Sequence, residues 1–93
     1  MWIVAHYTNE DAAISLDKYF TYEDAERQIV KLLTSEVQKA VGDKYDLSSL
    51  TLKELEQFDE ETKALEDNET VIGYDMAYSY LNGYHIDIAW TEV

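Results

Sequence analysis

The sequence lacks cysteine and proline, has three glycines, and carries few positive charges. Without cysteine there can be no disulfide, no thiolate zinc site and no cysteine nucleophile. Without proline, and with glycine confined to Gly42, Gly73 and Gly83, no segment has the composition of a flexible linker. A hydrophobic core must therefore hold the fold unaided, and hydrophobic residues make up 46% of the chain, enough for one such core.

The length and the net charge of the chain limit the number of domains and the kinds of ligand that we expect. A chain of 93 residues predicts a single domain over 1–93. Residues 1–6 include no Lys or Arg and form too short an apolar run for a signal peptide or a membrane span, which predicts a cytoplasmic protein. Twenty Asp and Glu against seven Lys and Arg give a net charge of −13, which repels phosphate. We therefore expect neither direct nucleic-acid binding nor membrane binding.

The first half of the chain predicts strand, turn and helix. Residues 2–7 are apolar on both alternating faces, as in an interior strand. Residues 13–19 fit either a second strand or a short helix. Thr21 is a suitable N-cap for a helix whose apolar stripe ends near Gly42. Glu36 interrupts that stripe, either because it reaches solvent beyond the sheet or because it is held in a partner-binding site.

A second, amphipathic helix is predicted to start near Thr51, capped by Thr51 or Ser48, with Leu52, Leu55, Phe58 and Leu65 on one face. Its other face is acidic over residues 54–69, where eight acids are opposed by Lys63 alone. As one helix, these residues would make an acidic rod roughly 24 Å long. The eight acids are Glu54, Glu56, Asp59, Glu60, Glu61, Glu66, Asp67 and Glu69.

The last third predicts a β-hairpin, with residues 71–80 and 84–91 as its strands. Asn82-Gly83 could form a two-residue loop, but a three-residue loop with Leu81 places Tyr78 opposite Ile86 and Met76 opposite Ile88. We favour the three-residue loop because it makes one face of the hairpin wholly apolar. Asp75 and Asp87 then form a second acidic patch on the exposed face.

No motif predicts catalysis or a bound cofactor. The acidic runs lack the spacing and the mid-loop glycine of an EF-hand, and no phosphate-binding glycine loop or nucleophile elbow is present. His85 and Asp87 share a strand face and could pair or bind a divalent ion. The simpler interpretation is two exposed polar side chains. The sequence predicts a non-enzymatic protein with no metal site.

The acidic surface has two interpretations. It can keep a small domain soluble, or it can imitate nucleic acid, because Lys and Arg arranged for phosphates also accept carboxylates. The run Glu54-Leu55-Glu56-Gln57-Phe58-Asp59-Glu60-Glu61 and the Tyr-rich hairpin give the chain the general character of small phage-encoded inhibitors that act as DNA mimics. It resembles anti-CRISPR proteins in particular. The resemblance implies a protein of the host cytoplasm that blocks either the nucleic-acid channel or the protospacer-adjacent-motif site of a CRISPR nuclease.

Taken together, the sequence predicts a two-layer α+β domain in the order ββααββ. Three or four mainly antiparallel strands are covered on one face by two helices. We expect it to bind a basic nucleic-acid-binding protein through the eight acids and through Asp75 and Asp87. The alternative is a generic interaction module or a homodimer that uses an apolar sheet face or a strand edge.

Overall fold

The computed structural model describes residues 1–42, 46–57 and 68–93. These residues form five strands and two α-helices, with a short 3₁₀ turn at Leu47–Ser49 before the second helix. In chain order the elements are β1 (Trp2–Thr8), β2 (Ile14–Tyr19), α1 (Tyr22–Val41), α2 (Leu52–Gln57), β3 (Asn68–Ile72), β4 (Met76–Leu81) and β5 (Tyr84–Glu92).

The strands form one antiparallel sheet in the order β2-β1-β5-β4-β3, with the helices on one face. The predicted two-layer α+β class is confirmed. β1 lies inside the sheet, as its two apolar faces predicted, and residues 14–19 form a strand rather than a helix. The sheet has five strands instead of the expected three or four, because the segment predicted as one strand over 71–80 is two strands.

The helix α1 follows from local signals. Its N-cap Thr21 accepts a hydrogen bond from the Asp24 amide to Oγ1 (3.2 Å), and Gly42 closes its other end at φ 72°. Apolar residues three or four positions apart place one side of the helix on the sheet. The buried hydroxyl of Thr34 is satisfied by donation to the Val30 carbonyl (2.7 Å).

The core lies between α1 and the middle of the sheet. Val4, Ala25, Ile29, Ala77 and Ile86 are fully buried there. Leu52 and Leu55 of α2 join the same core, as predicted. Each fully buried Val, Leu or Ile side chain of this layer contributes on the order of 1.5–3 kcal/mol through burial, and each alanine methyl contributes about 0.8 kcal/mol.

The helix α2 begins with a capping box. The Thr51 amide donates to Glu54 Oε1 (3.2 Å), while the Glu54 amide donates to Thr51 Oγ1 (3.1 Å). Of the two predicted caps, the structure therefore uses Thr51. The predicted core residues Phe58 and Leu65 lie outside the described residues.

The predicted register of the final hairpin is wrong. Leu81 pairs with Tyr84, so the loop has only the two residues Asn82 and Gly83. Both have positive φ (49° and 89°), as a type I′ turn requires. The register therefore moves by one residue on β4, and Tyr78 pairs with Asp87 instead of Ile86.

The shifted register reverses the two faces of β4. Ala77 and Ser79 are buried on the helix side, where their small side chains let α1 approach the strand, and Ser79 Oγ lies 3.1 Å from Thr70 Oγ1. Tyr78 and Tyr80 lie on the opposite face. The expectation of one wholly apolar face failed because tyrosine can hold its ring on an open sheet and its hydroxyl in water.

A tight turn separates β3 from β4. The Gly73 amide donates to the Met76 carbonyl (2.7 Å), so Tyr74 and Asp75 form the tip, and Ile72 pairs with Ala77 just beyond it. Glycine and aspartate are common turn residues. That signal was present in the sequence, but the alternation of residues 71–80 obscured it.

Two alanines on neighbouring strands provide a direct test of the register. Ala77→Leu should overpack the core and lower the free energy of unfolding by about 1–3 kcal/mol, because Ala77 has no exposed surface. Ala89→Leu, on the exposed side of β5, should change it by less than about 0.5 kcal/mol. Urea unfolding followed by circular dichroism measures both. A tolerated Ala77→Leu beside a destabilising Ala89→Leu would contradict the register described here.

Candidate functional site

No described residue covers the face of the sheet opposite the helices. The pairing of the strands places mostly apolar side chains on this surface, which we call the open face. Ile14 and Leu16 of the edge strand β2 are 74% and 70% exposed. The apolar residues of the open face are Ile3, Ala5, Tyr7, Ile14, Leu16, Val71, Met76, Tyr78, Tyr80 and Ala89.

Two rows of side chains cross the open face. The first crosses all five strands as Ile14, Tyr7, Asp87, Tyr78 and Val71. The second crosses four strands as Leu16, Ala5, Ala89 and Met76. Because Ala5 and Ala89 are small, a shallow groove of about 290 Å³ lies above them. Large contiguous patches of exposed apolar surface often mark sites of interaction with another molecule.

Polar groups gather toward one end of the open face. The Tyr78 hydroxyl donates to Glu69 Oε1 (3.0 Å), and His85 Nε2 lies 3.3 Å from Asp87 Oδ1. The His85 ring makes edge contacts with Tyr78 and Tyr80, at centroid distances of 6.1 and 6.2 Å. These contacts fix the orientation of the rings at the border of the apolar surface.

As predicted, His85 and Asp87 lie on the same face of β5. Both side chains are substantially exposed. Within residues 1–42, 46–57 and 68–93, no group of three or more His, Cys, Asp or Glu residues is placed to hold a metal ion. The contact between His85 and Asp87 is thus an exposed surface pair.

The structure separates the predicted binding acids that it describes. Glu54 and Glu56 lie on α2, in the helical layer, whereas Glu69 lies in β3 and Asp87 in β5, both on the open face. Asp75 lies at the tip between β3 and β4. The remaining predicted acids, Asp59, Glu60, Glu61, Glu66 and Asp67, lie outside the described residues.

The predicted single helix over residues 54–69 is therefore wrong at its far end, because Glu69 belongs to a strand. Glu54 also has a structural task, since its carboxylate accepts the capping hydrogen bond from Thr51. Of the two interpretations of Glu36, its partial exposure and its ion pair with Lys39 (2.9 Å) favour the solvent-facing one.

Sequence reasoning offered an apolar sheet face as the contact surface of the alternative function, but it did not identify the residues of the open face. A signal for it was present in β1, which is apolar on both faces: Val4 enters the core, while Ile3 and Ala5 point to the open side. In a two-layer protein, an interior strand with two apolar faces implies that one of them is left uncovered.

No protein-family model matches the chain, and no curated protein or solved structure matches it either. Among the described helices, none is both long and apolar enough to cross a membrane.

The hydrogen bond between Tyr78 and Glu69 has a measurable effect. It raises the pKa of the Tyr78 hydroxyl above its usual value of about 10, with smaller contributions from desolvation and from the charges of Glu69 and Asp87. Glu69→Gln removes that negative charge, so the pKa of Tyr78 should fall toward the usual value. NMR titration of the tyrosine ring carbons measures this shift. The control is Glu10→Gln, at a position in the turn after β1, which should leave the pKa of Tyr78 unchanged. An equal change of this pKa in both variants would contradict the assignment of the shift to Glu69.

Proposed function

We propose that this protein is a non-enzymatic binding protein, that its contact surface is the open face, and that its partner is a basic protein. The observation that carries the proposal is the set of exposed apolar side chains spread over the five strands of the open face, with one carboxylate, Asp87, on the central strand and another, Glu69, on the edge strand β3. Aromatic residues and methionine, both present on this face, are enriched in protein interfaces.

The dimensions of the open face determine how much of such an interface it can supply. Five strands about 4.8 Å apart, with five residues each at about 3.3 Å, cover on the order of 400 Å². A standard interface buries about 800 Å² on each partner. The open face can therefore form the centre of a standard interface, and the surrounding acidic surface must supply the rest.

The net charge of the chain distinguishes between two candidate occupants of this face, a second copy of the chain and a basic protein. A second copy of the chain would bring another net charge of −13 against the first, and the Asp87 carboxylates would lie within the contact. A basic partner instead gains from the apolar side chains and from Glu69 and Asp87, which outnumber Lys18 on the same face. Charge complementarity therefore favours a basic protein over a homodimer.

The form of this function that we propose is inhibition of a nucleic-acid-binding protein, such as a CRISPR nuclease. Surfaces that bind nucleic acid are rich in Lys and Arg, and these side chains form charge-assisted hydrogen bonds with carboxylates as well as with phosphates. The support is the charge of the whole chain and the eight acids among residues 54–69. In this form the bound inhibitor competes with nucleic acid for the partner's basic surface.

Two substitutions with matched exposure test the role of the open face. Leu16, on the open face, and Val93, beyond the end of β5, are 70% and 69% exposed, so serine at either position should leave the fold intact. Each immobilised variant is compared with the wild type for capture from a bacterial lysate, quantified by mass spectrometry. We expect Leu16→Ser to reduce capture of a nucleic-acid-binding protein about tenfold, because it removes a large apolar side chain from the contact, and Val93→Ser to retain it.

The same complex should be sensitive to salt. Raising the salt from about 0.1 M to about 1 M shortens the Debye length from about 10 Å to about 3 Å, so most of the captured partner should be released. Light scattering of the free protein should give a monomer. A dimer that Leu16→Ser dissociates would identify a second copy as the occupant, and identical capture by the two serine variants would refute the role of the open face.

A further inference from the structure

A cleft of about 430 Å³ lies at the end of the sheet where β1 begins and β5 ends. Four aromatic residues and two carboxylates line it, namely Trp2, Tyr22, Tyr74, Trp90, Asp75 and Glu92. Its volume falls inside the range of about 300–1,000 Å³ that is usual for ligand pockets. The sequence has two tryptophans, and both line this cleft.

The aromatic residues that line the cleft range from buried to fully exposed. Trp90 is 6% exposed and forms the base of the cleft. The Trp2 and Tyr22 rings pack edge to face at a centroid distance of 5.0 Å, which holds both in place. Tyr74, at the tip between β3 and β4, is 99% exposed, so its ring is free to contact a ligand that enters.

The charged side chains that line the cleft are negative. Asp75 and Glu92 line it, and none of the described residues lining it is basic. Burial and the neighbouring Glu26, which accepts a hydrogen bond from the Tyr22 hydroxyl, raise the pKa of Tyr22 above its ordinary value. The cleft therefore combines neutral aromatic rings with carboxylates.

We propose that this cleft binds an arginine side chain presented by a basic partner protein. A guanidinium stacks on aromatic rings, is weakly hydrated, and can form paired hydrogen bonds with a carboxylate. Lysine, a strongly hydrated point charge, uses the rings and the carboxylates less well. The partner as the source of the arginine rests on the proposed function, but the preference of the cleft for a guanidinium can be measured without that partner.

The experiment uses three blocked peptides that differ only in the side chain at two positions: arginine, lysine or glutamine. Binding is followed by NMR through the two indole N–H resonances, with tryptophan fluorescence as a second readout. We expect the arginine peptide to shift both indole resonances and to bind about three- to fivefold more tightly than the lysine peptide, because both cations are attracted to the rings but only the guanidinium also stacks on them and pairs with a carboxylate through two hydrogen bonds. The glutamine peptide should cause no shift.

Variants separate the local site from the general attraction of an acidic protein for cations. Tyr74→Ala and Asp75→Asn together should weaken arginine-peptide binding about tenfold, and the full exposure of Tyr74 means that the fold should persist, which circular dichroism verifies. The matched control, Tyr80→Ala with Glu10→Gln, removes the same ring and charge outside the cleft and should have almost no effect.

Two outcomes would overturn the proposal. Equal affinity for the arginine and lysine peptides would reduce the effect to charge alone, and equal weakening by the two double variants would show that the site is not local. The open-face variant Leu16→Ser should bind the arginine peptide normally. Failure of the cleft is thus distinguishable from failure of the proposed function, since only the latter depends on Leu16.

Discussion

The fold depends on the packing of one long helix against one face of a five-stranded sheet. The α1 residues Ala25, Ile29 and Leu33 are buried against Ala77 and Ile86, and this contact forms the core. The close approach requires small side chains on β4, and so the register of that strand follows from the helix. Both described helices lie on that side, and none of residues 1–42, 46–57 and 68–93 covers the other face of the sheet. The open face is thus a direct consequence of the core.

The ends of α1 depend on a few neighbouring residues and could be predicted from the sequence. Which face of β4 packs against the helices could not be predicted. The capping hydroxyl of Thr21 and the positive φ of Gly42 depend on few neighbours, so the bounds of α1 were correct. In β4, alternation separates Ala77 and Ser79 from Tyr78 and Tyr80, but it does not state which set is covered. The larger, more apolar set was assigned to the core. The helix instead needed the smaller set, a requirement that exists only once the two layers meet.

For the candidate site, too, the sequence gives the number of acidic residues but not their positions in the fold. A net charge of −13 follows from counting, but the fold decides where each carboxylate goes. Glu54 caps a helix, and Glu69 lies on a strand beside Tyr78. Neither position could be read from the density of acids along the chain, because the change from helix to strand falls within the acidic segment. The open face required the pairing of all five strands, which no single segment contains.

An apolar surface and a large negative charge have different consequences for binding. Long-range charge accelerates the encounter with a basic partner and loses its effect as salt increases. In the complex that we propose, the apolar rows on the open face would act only at contact and would so determine how slowly the complex dissociates. The cleft lined by Trp90 and Asp75 would combine the two, because a guanidinium is attracted by the carboxylates at a distance and by the rings at contact. Charge alone would leave the protein attached weakly to many cationic surfaces, so under the proposed function selectivity among basic partners would come from the shape of the apolar rows and the aromatic cleft.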